Sequence, residues 1–302
     1  MSDLQPRSAE PTRWRFGTSS WSDKSWVGSF YPEGTRPADF LGCYARRFDT
    51  VEADVTYYRV PSPSMVAGWR RKTPEGFTLS AKFPRSIVHA GEGPRPDAGK
   101  LLRPEHVAGE RDAFLEVMAE LGERLGPLVL QFPYFNRQAF AEPGPFLERL
   151  DAFLGGLPRE MRFVVEVRNK AWVGDELLGI LRSHGVAFCL LDLAYMPHPE
   201  SLAQEHDLVT ADFLYARLIG DRKKLDSLTD RFDRVVLDQR PRLLRWAAVL
   251  NRLSEAVDEI FAYANNHYAG HGPATAAELR ALVRGEDPDE APRAARPGEL
   301  PF

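Results

Sequence analysis

Eight short stretches of this chain are apolar or alternate apolar with polar residues at a period of two. They are WRFGTSSW (14–21), TVEADVTYY (50–58), TLSAKFP (78–84), PLVLQFP (127–133), FVVEVR (163–168), AFCLLD (187–192), FLYARLIG (213–220) and EIFAYANNH (259–267). Each predicts a β-strand, because alternation sends successive side chains to opposite faces of an extended chain. Helical patterns sit between most of them: ADFLGCYARRF, SPSMVAGWRRKT, ERDAFLEVMAELGERLG, PFLERLDAFLGGLP, DELLGILRSHG and RPRLLRWAAVLNRLSEA. A weaker helix, PESLAQEH, fills the gap between strands six and seven. PATAAELRALVR closes the series, with Pro273 suited to the first turn of its helix. Alternating strands and helices imply a parallel sheet with right-handed crossovers. Eight units are the closing number of a barrel. The expected fold is therefore α/β, a TIM-like (β/α)8 barrel forming a single domain over residues 14–284. A flexible segment, 1–13, precedes it, and a proline-rich charged tail, 285–302, follows. An open doubly wound sheet is the alternative, but no strand is followed by a glycine-rich dinucleotide fingerprint.

The polar faces of these strands are unusual. In 50–58, Val51, Ala53, Val55 and Tyr57 alternate with Glu52, Asp54, Thr56 and Tyr58. Lys82, Glu166 and Arg168 interrupt apolar runs in the same way. One face of a barrel strand meets helices and the other fills the interior. Setting the apolar alternates against the helices turns Glu52, Asp54, Lys82, Gln131, Glu166, Arg168, Asp192 and Arg217 inward or to the rim at the carboxyl ends. Thr56 and Tyr58 extend that face into the mouth. Trp21 ends strand one, and Asn265, Asn266 and His267 end strand eight. Cys189 reads as outward-facing. Four carboxylates against three cations in a barrel interior cost much desolvation unless they pair. A structural salt-bridge network absorbs part of that cost, yet charge at so many strand ends predicts a ligand site. The long connections 84–110 and 220–239, after strands three and seven, are expected to shape it.

Composition narrows the classes. The 302 residues are 43% hydrophobic, enough for a large core, and the net charge of −4 creates no global basic field for nucleic acid or membrane. Cys43 and Cys189 match no metal or redox spacing and read as packing thiols. Residues 1–13 lack the apolar core of a signal peptide, and no run reaches membrane-spanning length. A cytoplasmic protein with no membrane partner is expected; nothing in the sequence specifies an oligomeric state.

Three chemistries suit the strand-end residues. Glu52 and Glu166, three strands apart, are placed to oppose each other as acid and base or as acid and nucleophile, with Trp21, Trp26 and Trp172 as stacking faces. Lys82, Arg85, Arg168 and Arg217 suit an anion. The loops GDRKK and NNHYAGHGPA, with the amides of the helix near Pro273, lie where barrels often hold phosphate. His267 and His271, with Glu52, Glu166 or Asp192, have metal-ligand chemistry, but HYAGH lies in a glycine-containing loop that does not align the pair. No metal or other cofactor is expected. The leading expectation is an enzyme acting on a small anionic or phosphorylated, sugar-like substrate, with Glu52 and Glu166 catalytic. Trp21, Asp54, Thr56, Tyr58, Lys82, Gln131, Arg168, Asp192, Arg217, Asn265, Asn266 and His267 would bind it. The alternatives are a nucleic-acid-binding or phosphodiester-cleaving barrel, disfavoured by the negative charge, and a non-catalytic ligand-binding scaffold.

Six motifs carry a resemblance. GTSSWSDKSWVGSFYP (17–32), FDTVEADVTYYRVP (48–61), LGPLVLQFP (125–133), VEVRNKAW (165–172), YARLIGD (215–221) and YANNHYAGHGPATA (263–276) fall in the order and spacing of the YecE-like family, domain of unknown function 72. The chain resembles that family from about residue 14 to 284. The resemblance implies a TIM-like barrel and no established activity. It attaches to Trp21, Glu52, Thr56, Tyr58, Lys82, Gln131, Glu166, Arg168, Arg217, Asn265 and Asn266. Three positions depart from the family pattern: Asp54 stands where many members have Asn, Ile219 where many have His, and Tyr134 where many have a second Pro. The second departure argues against a histidine-dependent mechanism there.

Overall fold

All eight expected strands form. In chain order the elements are β1 (Arg13–Thr18), α1 (Phe40–Tyr44), β2 (Thr50–Ala53), α2 (Pro63–Lys72), β3 (Thr78–Lys82), α3 (Arg85–Val88), α4 (Pro104–Ala119) and β4 (Leu125–Gln131). There follow α5 (Gly144–Gly155), β5 (Phe163–Glu166), α6 (Asp175–His184), β6 (Ala187–Leu193), α7 (Pro199–Glu205), β7 (Phe213–Gly220), α8 (Arg222–Asp226), α9 (Arg240–Ser254), β8 (Glu259–Ala264), α10 (Asn266–Ala269) and α11 (Gly272–Val283). The computed structural model describes residues 10–91 and 95–286. The expected flexible segment 1–13 and tail 285–302 lie mostly outside them. Among the described residues no helix is long and apolar enough to cross a membrane.

The strands pair in the order β1-β8-β7-β6-β5-β4-β3-β2, every pair parallel. This is the single-domain TIM-like barrel that the strand count predicts. The remaining seam, between β1 and β2, is bridged by a side chain. The buried Tyr44 hydroxyl accepts the Thr18 N–H at 2.8 Å and donates to the Thr50 carbonyl at 3.1 Å. The backbones come so close there that a Cβ at Gly17 would lie 2.2 Å from the Thr50 oxygen, so only glycine fits. Helix ends follow local rules. Asp175 and Glu176 open α6, Arg182 and His184 close it, and Gly185 stops it in the left-handed region at φ 64°. Charge thus complements the helix dipole at both ends.

Two apolar cores result. One lies between sheet and helices; the other fills the barrel with Val129, Val164, Ala187, Cys189, Phe213, Tyr215, Phe261 and Tyr263. At mid-depth the interior is polar but satisfied, since the Tyr263 hydroxyl meets Thr50 Oγ1 at 2.7 Å and Ser80 Oγ at 2.9 Å. The amino-terminal end is plugged by Arg15 and Arg162 on Glu259.

Two strands correct the expected facing. In β6, Cys189 points into the barrel and Asp192 away from it. This strand is apolar on both faces, as parallel strands buried on both sides are, so its pattern carries no facing information. Asp192 is buried on the helix side, where it accepts from Trp246 Nε1 at 2.7 Å, Arg242 Nε at 2.9 Å and the Tyr268 hydroxyl at 3.0 Å. It ties α9 and α10 to the sheet and is no part of the mouth. Asp192→Ala is expected to cost roughly 2–4 kcal/mol in urea unfolding, because it strands an indole N–H and a phenol. An unchanged midpoint would contradict this role.

The second correction is β2, which ends at Ala53 instead of continuing to residue 58. Thr56 Oγ1 donates to the Ala53 carbonyl and accepts the Lys82 N–H, both at 3.1 Å, and Val55–Tyr57 tightens into a 3-10 turn. A threonine hydroxyl offering local bonds is a known competitor of the ladder. The period of two is lost beyond Asp54.

Candidate functional site

The carboxyl ends of five strands put one charged cluster on the barrel axis. Glu52 comes from β2, Lys82 from β3, Gln131 from β4, Glu166 from β5 and Arg217 from β7. The Arg217 guanidinium sits between the two glutamates. Its Nη2 donates to Glu52 Oε1 at 2.8 Å, and its Nη1 donates to Gln131 Oε1 at 2.9 Å and to Glu166 Oε2. The Tyr215 hydroxyl donates to Glu52 Oε2 at 2.7 Å, and Arg168 Nε to Glu166 Oε1 at 2.9 Å. Lys82 Nζ lies 3.6 Å from Glu52 Oε1 and pairs with Asp54 Oδ1. With Asp192 removed, three carboxylates face three cations. Low dielectric makes each contact strong, and pairing every charge is what makes the burial tolerable, although Arg217 Nε has no hydrogen-bond partner among the described residues.

Glu52, Glu166 and Arg217 are essentially inaccessible, at 0%, 0% and 1% exposure. Burial by itself pushes both glutamates up, but the cations reverse it. Arg217 and Lys82 hold Glu52 below its ordinary value, and Arg217, Arg168 and Lys82 bring Glu166 down to about 2. Burial opposes the charge of Arg217 too, yet the two carboxylates push its pKa further up. Both glutamates are thus ionised at neutral pH and clasp one guanidinium. Cys189 Sγ lies 3.9 Å from Glu166 Oε2, and burial, reinforced by Glu166, keeps it a neutral thiol.

Above this floor the mouth is ringed by tyrosines, of which strand periodicity singles out only Tyr58. Tyr57 is raised by burial and lowered by Arg85 and Arg168, which places it beside those cations. Tyr195 is likewise raised by burial and lowered by Arg168. Tyr58, Tyr134 and Tyr195 are 78%, 60% and 54% exposed, on the loops after β2, β4 and β6. The cue in the sequence was a tyrosine two to five positions past β2, β4 and β6. Tyr58 stands at the rim and not in the depth of the mouth.

A cavity of about 180 Å³ opens where β8, β1 and β2 end. Ser19, Asp54, Asn265 and His267 line it, with Trp26 and Phe232 as aromatic walls. Phe232 belongs to the long connection after β7, which shapes the mouth as expected. Asn265 caps α10, its Oδ1 accepting the His267 N–H at 3.0 Å. His267 Nε2 lies 3.3 Å from Asp226; burial lowers its pKa more than Asp226 raises it, leaving a neutral ring. Asn266 is a strut: it accepts from Trp26 Nε1 at 3.2 Å and the Gly272 N–H at 2.9 Å, and donates to Asp23 at 2.7 Å.

Other sequence candidates lie elsewhere or are already engaged. Trp21 packs edge-on against Trp69 of α2, and Trp172 stacks on Phe135. The amides near Pro273 that were expected to meet an anion are taken, Gly272 by Asn266 and Ala274 by His271 Nδ1. Among the described residues no three His, Cys, Asp or Glu side chains converge as a metal site. Thr56 is buried and serves the β2–β3 turn.

Comparison with known proteins places this geometry in a lineage. The chain matches the family described as protein of unknown function DUF72 over residues 15–298. It is 32% identical over 223 residues to the UPF0759 protein YecE of Escherichia coli K12, spanning 68% of this chain and 73% of that one. A crystal structure of a DUF72 family protein from Thermotoga maritima is 26% identical and superposes with a TM-score of 0.65, covering 90% of this chain and 99% of that one. A DUF72 family protein from Enterococcus faecalis, 19% identical, has the same fold at a TM-score of 0.64, covering 90% and 95%.

Proposed function

The chain belongs to the DUF72 family of proteins of unknown function, and we propose that its barrel mouth binds a small anionic, sugar-like ligand with Arg168 as the anion's partner. One observation carries this reading. Lys82 and Arg217 are consumed by carboxylates inside the barrel, whereas among the described residues Arg168 spends only its Nε, on Glu166, and keeps a side chain 26% exposed at the mouth. A guanidinium held at one edge by a buried carboxylate presents its other edge pre-oriented, which suits phosphate or carboxylate. The tyrosines beside it add hydroxyl donors and faces for an apolar ring surface.

The carboxylate chemistry divides on this reading. Glu52 and Glu166, ionised and sequestered, act by fixing Arg217 and Arg168. Asp54, with a side chain 38% exposed and at the cavity, is the carboxylate that meets the ligand and the group placed to accept a proton from it. A nucleic-acid backbone finds less support, because Asp23 and Asp54 line the cavity and would repel a run of phosphates.

The test is a thermal-shift series with inorganic phosphate, monophosphorylated sugars and the corresponding free sugars. A phosphosugar at about 100 times its Kd is expected to raise Tm by roughly 5 °C, and Arg168→Ala is expected to abolish the shift. No shift with any anion, or an equal shift in the variant, would contradict the reading.

A further inference from the structure

We propose that the cavity at the β8–β1–β2 junction is a hydroxyl-recognising subsite, which takes the polyol or ring end of the ligand while Arg168 takes its anion. This rests on the anion reading above and assigns the rest of the ligand. The starting observation is a buried serine. Ser19 is only 4% exposed, lines the cavity, and its Oγ makes no hydrogen bond among the described residues. Leaving a buried hydroxyl unpaired is costly, so the position needs a partner that arrives from outside the chain.

Two neighbours extend the pattern. Asp54 commits Oδ1 to Lys82, and Asn265 commits its Oδ1 to His267, which among the described residues leaves Asp54 Oδ2 and Asn265 Nδ2 for a ligand. The cavity thus offers an acceptor, a donor and a hydroxyl that does both. A hydroxyl donates once and accepts twice, so adjacent hydroxyls on one carbon frame can satisfy all three. An anion cannot, since no lysine or arginine lines the cavity while two carboxylates, Asp23 and Asp54, do. Trp26 and Phe232 supply apolar walls for the C–H faces of a sugar. The volume, about 180 Å³, is below the ~300–1,000 Å³ of sites for drug-sized ligands. It suits one ring or a short polyol, not an oligomer. Lys82 connects the two halves, pairing with Asp54 at the cavity and with Glu52 in the cluster that orients Arg168 through Glu166.

The experiment is calorimetric titration of the full chain with D-ribose 5-phosphate, D-glucose 6-phosphate, inorganic phosphate and free D-ribose. Ser19→Ala and Asp54→Asn are expected to weaken at least one phosphosugar about 10-fold and leave inorganic phosphate unchanged. Arg168→Ala is expected to weaken the phosphosugars and inorganic phosphate alike. If Arg168→Ala behaves so but Ser19→Ala and Asp54→Asn change nothing, the subsite is overturned and the anion reading stands. If instead Asp54→Asn and Ser19→Ala weaken free D-ribose while Arg168→Ala affects no ligand, the subsite stands and the anion reading falls. Binding of none of the four probes to the wild-type chain overturns both. Ser19→Ala removes one oxygen that bonds no member of the ion network, so it keeps the test valid should Asp54→Asn fail to fold.

Discussion

Arg217→Met is expected to destabilise the protein by about 3–5 kcal/mol at pH 7, measured as the loss of urea-unfolding free energy. The size follows from what remains. Glu52 and Glu166 are fully buried, and Arg217 bonds both of them. Without it, two carboxylates share a low-dielectric site with only Lys82, Arg168 and Tyr215 as counterparts, and their pKa values must rise. The defect should therefore shrink as pH falls from 7 towards 5, where the stranded carboxyls take up protons and cease to repel. It should also shrink in the triple variant Arg217→Met, Glu52→Gln, Glu166→Gln, which removes charge from both sides. A loss below about 1 kcal/mol, or one independent of pH, would contradict a charge clasp at the barrel axis.

Acid is expected to remove stability in two stages. Burial brings His271 down to about 4, against the opposing pull of Asp233 and Asp23. Its Nδ1 accepts the Ala274 N–H as the cap of α11, a role only the neutral ring performs. The folded-state pKa is depressed, so this stabilisation is complete above the unfolded value of 6.5 and is lost as pH falls to about 4. At ~1.4 kcal/mol per pKa unit the loss is about 3 kcal/mol. Glu166 follows the same sign at lower pH. Its contribution is complete above 4.5 and is lost as pH falls through its folded value of about 2, again by about 3 kcal/mol. Urea unfolding from pH 7 to 3 measures the upper stage in full and the onset of the lower one. His271→Asn keeps a capping side chain without the titration, so its curve should lack the upper stage. Parallel curves for the two proteins would contradict the assignment to His271.

The barrel was legible because eight strands announce themselves by pattern and helices separate them. The heart of the cluster was legible for a related reason. Glu52, Lys82, Gln131, Glu166 and Arg217 each break an apolar strand on one face, and a closed sheet sends those faces to one axis. Asp192 was misplaced because β6 is apolar on both sides, so a single carboxylate at its end gave no parity. Tyr58 was carried into the mouth by an alternation that Thr56 ends with two hydrogen bonds. Tyr57 was set against the helices by the same alternation, although the turn after Ala53 brings it beside Arg85 and Arg168. Ser19 and Tyr195 went unread, and Tyr134 was read only as a departure from the family pattern, because loop residues obey no period and acquire meaning only from what the fold sets beside them. The ionised state of both glutamates was equally hidden, since it depends on Arg217 reaching both carboxylates at once.

On the proposed function the mouth, and Arg168 within it, receives an anionic, hydroxyl-bearing ligand. The most direct test of this reading is a crystal structure with the phosphosugar that raises Tm most. A phosphate oxygen is expected within ~3 Å of an Arg168 Nη and a ligand hydroxyl within the same reach of Asp54. A phosphate seated on the opposite face of the barrel, where Arg13, Arg46 and Arg47 border a cleft, with the mouth left to water, would contradict it.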